Sequence, residues 1–449
     1  MPLYWLILVL FSFFAIKDWK NTTVVWLPLQ LLFNECICLR YDSPSLSLVL
    51  GVDFMLFFIY LMKKGKMQTG QEEFFFKKVF VIYLVSYMLS MLFSIVSIGE
   101  VLTGTIKFFV QNFLILFLFQ KALTGIKEVQ LFIKSIFIVA ILITVLGLFE
   151  SVVKDNPVLD YVFLNAPLDA IKGKLYYTPP FLSVSGEMDQ RFGMVRAFSF
   201  FSIHITFGCA CVMLFFFYVY LYKMREDISN RLMIIIGIML FLIGVFLSNS
   251  KTPIVGLVFF VFGLFSVKDV FRWQIVVFVI AGVVVMFTYY PEYLNNFTAL
   301  FDSSVAEEGG GSNMNMRIRQ FEVGFDLFAR SPLFGNGVGA LAMLDNVGNN
   351  SDILGAESSW LKILPERGIM GVVAYIYLYF AMYGKLRPFI NKKALLCFLW
   401  GILAMETATG FMNMAIFGSI VIALYRIGIL KRNGQLSVKS INTRFYPNE

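Results

Sequence analysis

Apolar runs close to the length of a bilayer crossing follow one another along this chain, separated by short polar joints. A helix needs roughly 20 predominantly apolar residues to cross the hydrocarbon core, and somewhat fewer when flanking residues snorkel. That ruler places spans near 3–16, 24–39, 45–62, 78–97, 102–120, 132–153, 198–222, 232–248, 253–267, 274–290, 368–384, 394–405 and 411–430. The first run has no basic segment before it and no small-residue cleavage site after it, so it reads as a span rather than a signal peptide. The pattern predicts an all-α polytopic integral membrane protein of about 12–13 transmembrane helices. It forms a single integral domain over 1–449.

The polar joints orient these spans, because short cytoplasmic loops collect Lys and Arg. Alternate joints are basic: Lys17 and Lys20; Lys63, Lys64, Lys66, Lys77 and Lys78; Lys121, Lys127 and Lys134; Lys223, Arg225 and Arg231; Lys268 and Arg272; Lys385, Arg387, Lys392 and Lys393. The tail adds Lys431, Arg432, Lys439 and Arg444, while the intervening short joints hold only Arg40 and Lys251. The C-terminus is therefore expected in the cytoplasm. The two long joints, 154–197 and 291–367, then fall together on the extracytoplasmic face, and long loops are uncommon unless they do something.

The second long joint carries a helix signal of its own. Ser312 and Asn313 are capping residues, Ser331-Pro332 is a stop, and Ile318, Phe321, Phe325 and Phe328 share one helical face. This predicts an amphipathic helix near 314–330 lying on the outer membrane surface. Arg317 and Arg319 diverge by roughly 200° around it, so at most one can point squarely into a shared pocket. The preceding Glu307-Glu-Gly-Gly-Gly-Ser312 has no strand ahead of it and is not a phosphate loop.

Composition narrows the chemistry. The chain is 59% hydrophobic and 15% charged, against about a quarter charged in soluble domains. The single histidine, His204, nearly excludes His-based metal sites and Ser-His-Asp catalysis. Cys36, Cys38, Cys209, Cys211 and Cys397 all lie in apolar runs and read as packing residues. The net charge of +8 is mostly cytoplasmic anchoring and does not argue for nucleic acid. Outer-face cations need another reason: Arg191, Arg196, Lys251, Arg317, Arg319, Arg330 and Arg367. Guanidinium is the preferred fork for phosphate and pyrophosphate. Loop salt bridges with Glu187, Asp189, Glu307, Glu308, Glu322 or Glu366 are the competing account of any one of them.

Four segments together resemble the O-antigen polymerase and ligase superfamily (Wzy-like and WaaL-like). They are Arg191-Phe-Gly-Met-Val-Arg-Ala-Phe-Ser199, Ser248-Asn-Ser-Lys-Thr252, Arg317 with Ser331-Pro-Leu-Phe-Gly-Asn-Gly-Val-Gly339, and Glu357-Ser-Ser-Trp-Leu-Lys-Ile-Leu-Pro-Glu-Arg-Gly-Ile-Met-Gly371. The resemblance covers about 190–375 by motif and the rest by hydropathy. It implies a GT-C-like membrane fold and a metal-independent glycosyltransferase without a cofactor. The implied substrates are undecaprenyl-pyrophosphate-linked glycan donor and acceptor in membrane lipid. It also implies a bacterial inner-membrane location, with the active site on the periplasmic face and a chain-length regulator protein as a candidate partner.

The same resemblance implies catalytic roles for Glu357 and Arg317, and pyrophosphate or substrate binding by Arg191, Arg196, Lys251 and Arg319. No metal ligand is implied, and no D-x-D carboxylate pair stands on the outer face. Two departures matter. Glu357 stands where the ligases carry a histidine, which favours a polymerase. Gly208 also falls one residue beyond the R-x10-G spacing of some polymerases, counted from Arg196. Capping of the following helix is the alternative role of Glu357. A ligase is the second reading. A lipid-linked oligosaccharide transporter or flippase is the third, with Glu35, Asp53 and Lys107 as its intramembrane charges.

Overall fold

Local capping starts several of the helices, and bilayer-length apolar sequence sustains them. Ser47 caps one through the Leu50 amide at 3.4 Å, Asn230 another through Leu232 at 2.9 Å, and Glu128 accepts the Gly125 amide at 2.8 Å in the return half of a capping box. The computed structural model describes residues 2–33, 36–40, 46–64, 73–167, 177–182, 190–191, 193–224, 228–264, 314–341, 358–409 and 414–436.

Within these the helices are α1 (Pro2–Lys17), α2 (Trp19–Leu29), α3 (Leu48–Lys63), α4 (Lys77–Leu92), α5 (Ile98–Ala122), α6 (Ile126–Val153) and α7 (Pro157–Asn165). There follow α8 (His204–Met224), α9 (Arg231–Leu247), α10 (Lys251–Leu264), α11 (Met314–Arg330), α12 (Ser359–Leu386), α13 (Lys392–Ala408) and α14 (Met414–Arg432). Two short antiparallel hairpins complete the set: β1 (Cys38–Arg40) with β2 (Leu46–Ser47), and β3 (Gln190–Arg191) with β4 (Met194–Val195). Among the described residues, five helices are long and apolar enough to cross a membrane: α5, α6, α8, α12 and α14. The chain is a mostly helical, multi-pass membrane protein.

α8 and α14 are the most enclosed, with apolar residues buried on every side, as expected of helices surrounded by other helices. α9 and α10 pack on α8, α13 lies along α10, and α12 lies along α4. Small residues bring α10 and α13 close, with Gly256 against Met405 and Gly263 against Cys397. Peripheral faces stay apolar, including Leu6, Val9 and Phe13 on α1 and Val145 and Val152 on α6.

The predicted spans 45–62, 78–97, 102–120, 132–153, 232–248, 253–267, 368–384, 394–405 and 411–430 each meet a described helix; 274–290 lies outside the described residues. Two differ in kind. The run 24–39 is not one helix: α2 ends at Leu29 just past Pro28, a 3-10 turn covers Gln30–Leu32, and β1 follows. Proline disrupts helix continuation locally, and hydropathy does not register that. The run 198–222 becomes helical only at His204, because residues 197–199 are held by hydrogen bonds to α6 and α9.

Tertiary contacts sort the joints into two ends. At one end Lys63 donates to the Ala15 carbonyl at 3.2 Å and also to Ile16, and Lys223 donates to Leu264. At the other, Ala197 N–H reaches Leu247 O at 3.1 Å, Ile95 N–H reaches Asn336 O at 2.9 Å, and Trp360 Nε1 reaches Thr407 Oγ1 at 2.9 Å. The basic joints and the joints bearing the candidate site thus sit at opposite ends of the same helices. Cysteines placed at Ala170 and Gly310 should accordingly be labelled by an impermeant maleimide from outside, and one at Gly65 should not. Outside labelling at Gly65 would reverse the orientation.

Candidate functional site

The Arg196 segment is fixed by its neighbours. β3 and β4 form a tight hairpin, with Gln190 opposite Val195 and Arg191 opposite Met194. Beyond it the Phe198 N–H donates to Glu150 Oε2 at 2.6 Å, and Asn156 Nδ2 donates to Glu150 Oε1 and, at 2.8 Å, to Ser199 O. Ser199 takes φ 55° and donates from Oγ to Ile143 O at 2.8 Å. Asn156 Oδ1 also caps α7, accepting from Val158 at 3.1 Å and Leu159 at 2.9 Å. Glu150 is fully buried at the end of α6. A buried carboxyl group needs hydrogen-bond partners, and here the Phe198 amide and the Asn156 side chain supply them.

The Ser248-Asn-Ser-Lys251 turn links α9 to α10, with Asn249 at φ 44° and Lys251 opening α10. Ser248 Oγ bonds Val245 O at 2.7 Å and Ser250 Oγ bonds Ser248 O at 2.9 Å. The Ala197–Leu247 bond joins this turn to the Arg196 strand. The structure therefore brings together the segments bearing Arg196 and Lys251, which stand far apart in sequence. Arg191 lies in β3, on the same hairpin.

The third segment is a clasp. α12 breaks at Gly368, which has φ 60° and ψ −158°. The glycine-rich loop after α11 fits into the break: Asn336 N–H donates to Pro365 O at 2.9 Å, Gly337 N–H to Glu366 O at 3.1 Å, and Ile369 N–H to Pro332 O at 2.9 Å. Asn336 Nδ2 ties Leu327 O at 2.8 Å to Pro365 O at 3.0 Å, and Gly339 N–H donates to Glu366 Oε1 at 3.0 Å. Ser90 of α4 closes it from behind, donating to Glu366 O at 2.5 Å. Gly335 has φ 79°, and a Cβ there would lie 2.3 Å from Arg367 N, so only glycine fits. Glu366, one of the salt-bridge partners named above, is buried and accepts the Gly339 amide within this clasp.

α11 runs over Met314–Arg330 as the periodicity predicts. Gln320, Gly324 and Leu327 face the protein, with Gly324 against Leu361 of α12. Ile318, Phe321 and Phe325 turn outward and are 38–57% exposed, which suits a helix at a membrane surface. Arg319 is exposed, and Arg317 lies one turn into α11. Glu357 lies outside the described residues. The cap of α12 belongs to its neighbour Ser358, whose Oγ accepts the Trp360 amide at 3.3 Å. His204 opens α8 with its ring 5.3 Å from that of Phe198, a packing position. The five cysteines form no disulfide.

Residues 234–376 match the family described as O-Antigen ligase. This is consistent with the O-antigen polymerase and ligase superfamily that its motifs resemble. No curated protein matches the chain. The matched residues include Lys251, Arg317 and all of the clasp except Ser90. Arg196 lies outside them in sequence and is joined to them by the Ala197–Leu247 bond.

The sequence reading named Glu35, Asp53 and Lys107 as intramembrane charges and missed Glu150 and Glu406. Asp53 is buried and accepts from Trp26 Nε1 at 2.8 Å and Gln30 Nε2 at 2.7 Å. Glu150 and Glu406 are buried as well, the latter accepting from Tyr375 and, at 2.8 Å, from Tyr379. The signal was present: a carboxylate inside an apolar run is rare and functional by default.

In the first long joint, Tyr177 donates to Asp160 Oδ1 at 2.7 Å. Burial pushes the Asp160 carboxyl up to about 6, the neighbouring Asp155 adds to this, and the tyrosine bond opposes it. The folded loop thus holds its proton to higher pH than the unfolded chain. Its contribution to stability is greatest below the ordinary carboxylate range and falls as pH rises to about 6. Limited proteolysis near Asp160 should quicken over that window and level off above it; Asp160→Asn should flatten the curve.

Proposed function

We propose that this chain is a membrane glycosyltransferase that polymerises undecaprenyl-pyrophosphate-linked oligosaccharide repeat units on the extracytoplasmic face of the bacterial inner membrane. The observation that carries the reading is the hydrogen-bonded junction of the Arg196 strand with the Lys251 turn, at the edge of the O-antigen ligase-family domain. That junction carries two cation-bearing elements, the segment following β4 and the start of α10, and the third, α11, rests on α12. Held in place before the reaction, such cations stabilise charge developing on a departing pyrophosphate, which is commonly the largest catalytic contribution. The glycan leaves its polyprenyl pyrophosphate as the acceptor hydroxyl of another lipid-linked unit attacks. Glu357 receives the proton of that hydroxyl.

The family description favours a second reading, a ligase attaching finished glycan to lipid A core or protein. Glu357 in place of the ligases' histidine favours the polymerase. Deleting the gene separates them: loss of a polymerase leaves single-repeat product, and loss of a ligase leaves long unattached chains. Within the polymerase, Arg317→Ala should abolish polymer while the protein still inserts. Arg317→Lys should rescue it only partly, because an ammonium cannot form the bidentate fork. Full polymer from Arg317→Ala would return that residue to a salt-bridge role.

A further inference from the structure

Arg367 is a buried outer-face cation that the site above does not use. It lies at the break in α12 and is 5% exposed. Its guanidinium carbon sits 4.7 Å from the ring centre of Tyr87 and 5.5 Å from that of Tyr83. Its Nη1 is buried and donates to nothing. The helix facing it repeats the pattern. Tyr83, Ser86, Tyr87 and Ser90 form the buried face of α4, and the hydroxyls of Tyr83 and Ser86 are also buried without partners.

The nearest carboxylates are already engaged. Glu366 Oε1 accepts the Gly339 amide at 3.0 Å, and Glu406, an electrostatic neighbour of Tyr83, accepts from Tyr375 and Tyr379. Aromatic stacking and the neighbouring Glu366 carboxyl group offset only part of the cost of burying this cation, whose Nη1 makes no hydrogen bond. Three buried polar groups of the packed helices α4 and α12, Arg367 Nη1 and the Tyr83 and Ser86 hydroxyls, make no hydrogen bond, and together they can offer donors to an anion. α12, which carries Arg367, is long and apolar enough to cross the membrane, so an anion borne by a lipid is the one that can reach the break.

We propose that Arg367, Tyr83 and Ser86 form a binding site for the phosphate group of a lipid, taken up between α4 and α12 beside the clasp. Resting on the function proposed above, the occupant is the polyprenyl pyrophosphate of donor or acceptor. An ordinary anionic phospholipid shares the same chemistry. The guanidinium contributes the fork, and the two hydroxyls bond the remaining phosphate oxygens. The stack on Tyr83 and Tyr87 fixes the plane of the fork.

The test measures binding of undecaprenyl pyrophosphate and of phosphatidylglycerol to the purified full chain in detergent, by native mass spectrometry. Wild type is compared with Arg367→Gln, Arg367→Lys and the exposed control Arg330→Gln, and Tm is recorded for each. The expected result is at least a tenfold weaker undecaprenyl pyrophosphate complex for Arg367→Gln, an intermediate loss for Arg367→Lys and none for Arg330→Gln. Tm should be unchanged or higher in Arg367→Gln, since an unpaired buried charge has gone. Tyr83→Phe provides a second variant, keeping the ring and removing only the hydroxyl; it should weaken the same complex. If wild type binds only phosphatidylglycerol and Arg367→Gln loses it, the anion site stands and the proposed reaction fails. If Arg367→Gln and Tyr83→Phe bind both lipids as wild type does, the inference is overturned and the proposed reaction is untouched. A fall in Tm with both affinities intact would make Arg367 a packing residue and would likewise overturn it.

Discussion

Glu357→Gln is expected to insert normally and to leave only single-repeat product, with polymerisation slowed by roughly 10²–10⁴-fold, the usual cost of losing a general base. Gln keeps the size and hydrogen-bonding reach of Glu but cannot take up a proton. The helix-cap role, the alternative for Glu357, is filled by Ser358. A cap substitution would also cost only about 1 kcal/mol of stability and leave the rate largely intact. The base is active when ionised, so wild-type turnover should rise with pH through the pKa of Glu357 and then level off. The variant's residual turnover should lack that low-pH limb. Single-turnover assays with lipid-linked repeat units across pH check both points. Polymerisation near the normal rate in Glu357→Gln would make the residue structural and point to a substrate-assisted route.

Gly335→Ala is expected to prevent accumulation of the folded protein. Its Cβ would fall 2.3 Å from both Arg367 N and Glu366 C, backbone atoms held by the clasp, and the residue would have to keep φ at 79°. Overpacking and left-handed strain each cost about 1–3 kcal/mol, a large share of a total stability of about 5–15 kcal/mol. Gly339→Ala is the matched control, with φ 89° but nothing within 4 Å of the added Cβ, so it carries the strain without the collision. Detergent-solubilised yield and Tm should fall far more for Gly335→Ala. Equal behaviour of the two would mean that the loop can leave the break in α12 at little cost.

The sequence by itself determined the membrane class, most of the helices and the position of α11. Each depends on a local property: the length of an apolar run, a capping residue, or the spacing of Ile318, Phe321 and Phe325 on one turn-periodic face. Where local periodicity was misleading, the backbone was responsible. The apolar run 24–39 folds as a short helix, a turn and a strand because Pro28 and the β1–β2 pairing act on the chain itself. The motif glycines were legible as turns, but their partner was not.

Only the tertiary structure decided that residues 331–339 lock into the break of α12, that Glu150 anchors the Arg196 segment, and that the Arg196 and Lys251 segments meet. The clasp bond from Asn336 to Pro365 spans 29 residues, and the Ser90 bond that closes it spans 276. Such pairings exist because a backbone N–H or a buried carboxylate removed from water must find a partner wherever the packed helices provide one. Arg367 shows the same dependence in reverse. Its sequence position made it one more outer-face arginine, and only the packing of α4 on α12 encloses it against Tyr83 and Tyr87 with Nη1 making no hydrogen bond.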